Sequence, residues 1–395
     1  MKNVVSQSPN LFPLCLIIFF LINHFSNYQI LHFDGNGYIA LALSIFYLIC
    51  QRNTYNIKPY LLNKTVVIWA VLMTYHIVNS IWKGVTEGLV SQSIVPVSII
   101  NVLLMALCSY VYVLNKKKLL WTIFVSLAYY LLVAYNFTTI TDDRLSGFLY
   151  TTQLGQMSGV LCIVISLLIY EKKNFLLSFL YVFPVFMMIL AGSRNGLLTV
   201  LYAFAVLAIP YVLKNKSSII FIVLFAVIFY HFLQGSLILQ RTDNSEYILE
   251  YETGTFLDFM LGDRLYYYIV GFANFIDNPF TGIGLLNFAD YNYYMYPIHS
   301  EPMTHLCEGG LISAILYFIF KLQFVKEFIK HCKINTPVLN QCLVIFIALI
   351  SVGLTARIYH YEFFFPLYGI IIGEITKYHS NESSTISTQW HLWRR

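Results

Sequence analysis

Apolar runs of membrane-spanning length recur from one end of this chain to the other and leave room for little else. A helix that crosses a bilayer needs roughly 20 mainly apolar residues. Twelve segments approach that length: 11–31, 37–50, 65–82, 94–114, 119–137, 153–170, 174–192, 196–213, 217–233, 305–325, 338–356 and 360–376. Only 11% of residues are Asp, Glu, Lys or Arg, where soluble domains carry about 25%, and mean hydropathy is +0.68. Charge that sparse cannot coat a water-facing surface. The expected fold is all-α, a polytopic membrane helix bundle of about twelve spans forming one transmembrane domain over 1–395. The first run has no basic lead beyond Lys2 and no small-residue cleavage site, so it is expected to stay as a helix.

Loop charge orients the spans. With an even number of spans and the N-terminus inside, both termini are cytoplasmic and every inner loop is basic. Of the 24 Lys and Arg, all but Lys83, Arg144, Arg194, Arg241, Arg264 and Arg357 then fall on the cytoplasmic side, with Lys321 among the anchors. Lys at a membrane edge usually serves topology. Arg offers a planar fork of donors suited to phosphate and carboxylate, so the outer Arg residues draw functional attention. The outer face is otherwise acidic, which argues against a nucleic-acid partner. The seven Cys include no CxxC pair, and no residues have metal-ligand spacing, so neither a disulfide framework nor a metal site is expected.

One long polar segment, residues 234–304, separates the ninth and tenth apolar runs. Long loops in compact proteins are usually functional or disordered, and this one is too aromatic and varied for disorder. Residues 262–277 place apolar side chains at helical spacing, which predicts an amphipathic helix along the outer membrane surface. Pro279 stops it, and Thr281-Gly-Ile-Gly284 makes a turn where missing side chains allow close backbone approach. Tyr291-Asn-Tyr-Tyr-Met-Tyr296 is either an interfacial belt or a platform for sugar rings. Residues 298–311 then lead straight into the tenth run. Asp142, Asp143 and Arg144 read as a solvated turn in preference to an acceptor contact.

Taken in order, these pieces resemble the O-antigen ligase and polymerase superfamily. Asn278-Pro-Phe-Thr-Gly-Ile-Gly-Leu-Leu-Asn-Phe288 is followed by His299, and Glu308-Gly-Gly-Leu311 begins nine residues after that His. Upstream, Gly192-Ser-Arg-Asn-Gly196 is similar to the family's Ser-Arg turn, and Arg264 sits where the family places a further Arg. Ser300 stands where Asn is common, and Gly309 and Ser313 vary the ending. The resemblance implies a bundle like the lipid-sugar glycosyltransferases of the GT-C type. It also implies glycosyl transfer from an undecaprenyl-diphosphate-linked saccharide at the periplasmic face of the inner membrane.

Such a transfer needs donors for a diphosphate whose charge grows as the glycosidic bond breaks. Arg194 and Arg264 are the first candidates, with Arg241 and Arg357 behind them. The acceptor hydroxyl must lose a proton, and His299 is the first candidate to take it, with Glu301 second. Gly282, Gly284 and Tyr267 are candidate substrate contacts. His305 and Glu308 read as structural, Glu308 as a cap on the tenth helix. No cofactor or divalent ion is expected. The leading reading is an O-antigen polymerase that uses the lipid-linked oligosaccharide as donor and acceptor, with a chain-length regulator as a possible partner by resemblance. The alternative is an O-antigen ligase acting on lipid A core. A flippase for the same lipid-linked sugars is a distant third, since no internal repeat is present and charge gathers in the outer loops instead of mid-span.

Overall fold

Along the helix Lys64–Glu87 polar side chains face inward: His76, Asn79, Ser80 and Lys83 are buried, while Val71, Val78, Ile81 and Trp82 are exposed. This inverts the soluble pattern, and it is what a lipid solvent demands of a helix with polar groups to hide. The same inversion marks Gly310–His331, which exposes Leu311, Ile312, Ile315, Phe318, Ile319 and Leu322 and buries Ser313, Tyr317, Phe320 and Lys321.

This computed structural model describes residues 11–22, 57–87, 94–136, 138–141, 144–147, 151–191, 193–214, 264–285, 287–293, 298–331, 336–354, 356 and 362–392. In chain order the helices are α1 (Leu11–Ile22), α2 (Lys58–Leu61), α3 (Lys64–Glu87), α4 (Ile94–Asn136), α5 (Thr151–Lys172), α6 (Val182–Ala191), α7 (Arg194–Lys214), α8 (Arg264–Asp277), α9 (Glu301–Cys307), α10 (Gly310–His331), α11 (Pro337–Gly353) and α12 (Phe365–Leu392). A 3-10 helix over Phe175–Tyr181 precedes α6. By length and composition, stretches of α3, α4 and α5 suffice to cross a membrane, and α1, α7, α11 and the Leu176–Ala191 segment are shorter apolar helices. The expected spans at 37–50 and 217–233 lie outside the described residues.

The fold departs from the sequence reading in three places. The first is a small antiparallel hairpin, β1 (Thr138–Thr141) with β2 (Arg144–Gly147), in register Thr141 to Arg144, an addition to the expected all-helical fold. The second is at Asn115, where the helix-length run of α4 breaks: its backbone is non-helical, and its side chain accepts the Lys118 N–H at 3.0 Å, capping the second half. The two expected spans over 94–137 are therefore two helical halves joined at one residue. The third is the tenth span, which starts at Gly310, because residues 301–307 form the separate helix α9.

Small residues set the main helix crossings. A Cβ on Gly155 would come within 2.2 Å of the Ser193 Cβ, and one on Gly159 within 2.4 Å of the Thr199 Cβ, so α5 and α7 run parallel in close contact. Tyr202 meets Ser351 at 2.8 Å and Gln341 donates to the Val206 carbonyl at 3.0 Å, so α11 runs antiparallel to α7. Gly369 and Gly373 of α12 sit against Cys108 and Tyr112, which sets α12 along the first half of α4. An ion pair between Lys116 and Glu171 at 3.0 Å joins the α4 break to the end of α5. The starts of α5 and α7 therefore share one end of the bundle with the end of α11, opposite the Lys116–Glu171 pair.

Candidate active site

The 279–288 stretch of the long segment is stitched to residues 307–311 into one layer at that end. Ile283 donates its N–H to the Cys307 carbonyl at 3.1 Å, Gly284 to the Glu308 carbonyl at 2.8 Å, and Leu311 to the Pro279 carbonyl at 2.8 Å. The Phe288 N–H reaches Oε1 of Glu308 at 3.3 Å, and Asn287 Nδ2 donates to the Ile283 carbonyl at 3.0 Å. Helix α3 holds the layer from the side: the Tyr75 hydroxyl donates to the Gly309 carbonyl at 2.8 Å and Asn79 Nδ2 to the Thr281 carbonyl at 2.7 Å. Irregular backbone survives at such depth only when its polar groups find partners within the protein.

The turn glycines are explained by this stitching. Gly282 has φ +63° and Gly284 φ +93°, both in the left-handed region. A Cβ on Gly282 would stand 2.4 Å from the Cys307 oxygen, and one on Gly284 would stand 2.6 Å from Asn287 Nδ2. The close approach that the sequence anticipates here is made to the chain's own 307–308 backbone. Glu308 is buried and staples Phe288 in place.

Helix α8 forms as the amphipathic pattern requires. Its buried side packs Tyr267 with Ile283, Phe288, Ile298 and Cys307 in a small satellite core, while Ile269, Phe272 and Ile276 leave an exposed apolar stripe on the other side. Gly271 brings the helix within close range of Ile298, and the Tyr268 hydroxyl donates to the Leu354 carbonyl at 3.0 Å, just beyond the end of α11. Arg264, the first residue of α8, is thereby set at the bundle end where α7 also begins. There Ser193 Oγ accepts the Gly196 N–H at 3.1 Å and caps α7, with Arg194 as that helix's first residue. The backbones of Arg194 and Arg264 thus share one end of the bundle; their side chains are outside the described set. Arg241 and Arg357 lie outside the described residues altogether.

His299 is half-buried between two anchors: Ile298 is sealed in the satellite core, and Ser300 and Glu301 are buried on the other side. Glu301 opens α9, which folds back against α10 so that its carboxylate meets residues well inside that helix. The Tyr317 hydroxyl donates to Glu301 Oε2 at 2.9 Å, and Lys321 Nζ lies 3.3 Å from the same oxygen. Further along α9, His305 is buried and stacked on Tyr317 with centroids 4.5 Å apart. His305 Nδ1, Ser313 Oγ and His76 Nε2 close a triangle with sides of 3.0, 2.8 and 3.0 Å.

Sequence reasoning missed His76 and Lys321. Lys321 was expected at the cytoplasmic edge, yet it is buried near the middle of α10, held by Glu301 and by the Tyr368 hydroxyl. Its signal was available, since it interrupts an apolar run, and charge inside such a run calls for a partner. Charge does enter a mid-helix position here, at Lys321.

No curated protein matches the chain. Residues 179–318 match the family model described as O-antigen ligase, a stretch that runs from the 3-10 helix before α6 into α10 and includes Arg194, Arg264, the 278–288 turn, His299 and Glu308. Over that stretch, about a third of its length, the chain is similar to the O-antigen ligase family.

Proposed function

We propose that the chain is a glycosyltransferase of the inner membrane that joins undecaprenyl-diphosphate-linked repeat units, an O-antigen polymerase. The observation that carries this reading is the shared end of the bundle, where the backbones of Arg194 and Arg264 and the half-buried His299 lie within the family-matching segment. In the proposed orientation that end faces the periplasm, both termini are cytoplasmic, and the exposed stripe of α8 rests on the membrane surface.

The chemistry follows from charge. An acceptor hydroxyl oxygen forms a bond to the anomeric carbon of the donor sugar. The carbon–oxygen bond to the diphosphate breaks, and its electron pair leaves with the lipid diphosphate. Guanidinium groups at 194 and 264 stabilise that charge, and His299 takes the hydroxyl proton. The reading assigns no step to a divalent ion. In this reading Arg241, Arg357 and the aromatic segment at 291–296 lie along the saccharide, while Tyr267 stays in the satellite core.

The family description favours a second reading, a ligase that transfers the glycan to lipid A core. Purified protein given lipid-linked repeat units alone elongates them if it is a polymerase. Inertness until lipid A core is added identifies the ligase.

A further inference from the structure

The polar groups of α9 and α10 do more than fill space. Lys321 is the twelfth residue of a 22-residue helix and is 8% exposed, whereas a topology anchor would hold its ammonium in water. Its Nζ lies 3.3 Å from Glu301 Oε2, donates to the Tyr368 hydroxyl, and faces the rings of Tyr317 and Tyr368 at 4.9 and 5.1 Å. Glu301 is 1% exposed, and its Oε1 has no hydrogen-bond partner among the described residues. An ion pair buried this far returns little stability compared with an apolar pair of the same volume. What it fixes is geometry: a carboxylate at the first residue of α9 is drawn onto an ammonium from the middle of α10.

That anchor lies two residues from His299. On the other side, Ile298 is locked against Tyr267, Ile283 and Phe288, in the core shared with the helix that begins at Arg264. The imidazole is therefore held between an apolar clamp and an ionic one, and the ionic clamp reaches the middle of α10. We propose that the Glu301–Lys321 pair positions His299 for proton acceptance, which makes Lys321 a positioning residue that never touches substrate. This inference rests on the glycosyl transfer proposed above.

The test is a charge cycle on the full-length protein in lipid. Lys321→Met leaves Glu301 buried without its counter-ion, and Glu301→Gln does the reverse; each lowers turnover by about a hundredfold, the scale of a small misplacement, with donor KM nearly unchanged. The Glu301→Gln/Lys321→Met double variant falls no lower than either single variant, because the same clamp is lost in all three. Lys321→Arg, which keeps the charge and so the clamp, retains most of the parent's turnover and covers the case in which Lys321→Met fails to accumulate. If the double variant stays as inactive as Glu301→Gln while Lys321→Met is mild, Glu301 acts directly and the inference is overturned. It is equally overturned if every single variant turns over like the parent.

A second readout is independent of catalysis. The labelling rate of His299→Cys by a membrane-impermeant maleimide shifts in Lys321→Met, stays shifted in the double variant and keeps the parent value in Lys321→Arg. An unchanged rate in Lys321→Met refutes the positioning role. A parent protein that elongates no lipid-linked saccharide, but whose labelling follows this cycle, refutes the proposed reaction and leaves the clamp standing.

Discussion

A Cβ on Gly196 would stand 2.6 Å from the carbonyl oxygen of Gly155, so α5 and α7 touch backbone to backbone where the Ser193–Arg194 turn begins. The glycine in that turn is therefore a packing residue, and its neighbour Arg194 inherits its position from the contact. Gly196→Ala forces the two helices apart and costs about 1–3 kcal/mol, the usual penalty for overpacking. Thermal melting in detergent measures it, with Gly155→Ala expected to behave the same way.

Gly282→Ala is expected to be worse, because it adds a strained left-handed backbone to a Cβ placed 2.4 Å from the Cys307 oxygen. The stitched layer cannot close around it. Activity falls further than the melting temperature alone explains, a comparison made by assaying well below the melt.

The His76–Ser313–His305 triangle is buried on all sides. Ser313→Ala removes the hydroxyl that joins both imidazoles but leaves their own 3.0 Å contact, and costs about 1 kcal/mol, the usual net worth of a hydrogen bond. A melt indistinguishable from the parent's would contradict the geometry.

Asn115→Ala removes the side chain that caps the second half of α4. The expected cost is about 1 kcal/mol, read as a lower melting temperature with donor KM unaffected.

Much of this was legible in sequence because lipid imposes a simple rule. Helices α3, α5, α7 and α11 follow from apolar runs, and α8 follows from the 3.6-residue period between Arg264 and Asp277. The break in α4 was visible as Lys116-Lys117-Lys118 between two apolar stretches, although the pivot itself is Asn115. The hairpin had a signal too, in the β-branched run Thr138-Thr139-Ile140-Thr141, but its surroundings read as a loop. What sequence could not reveal was α9 folding back on α10. Hydropathy cannot distinguish a short helix packed antiparallel from the first turns of a span. For the same reason the loop-charge rule took Lys321 for an anchor, since it counts lysines without knowing which way they face. Gly282 was read correctly as a site of close approach, but the approaching partner, the Cys307–Glu308 backbone, is a tertiary fact.

Replacing Arg194, Arg264 or His299 by Ala is expected to abolish polymer while the protein stays in the membrane at parental amounts. Polymer length on gels, alongside immunoblots of membrane fractions, measures both. Full-length polymer from all three variants would end the catalytic proposal.

The central claim is that positions 194, 264 and 299 face one compartment, outside the cytoplasm. Single cysteines at these three positions, probed in intact spheroplasts with a membrane-impermeant maleimide, test it directly. The account predicts labelling of all three before lysis. Labelling of one that requires lysis, while another labels freely, would place them on opposite faces and contradict it.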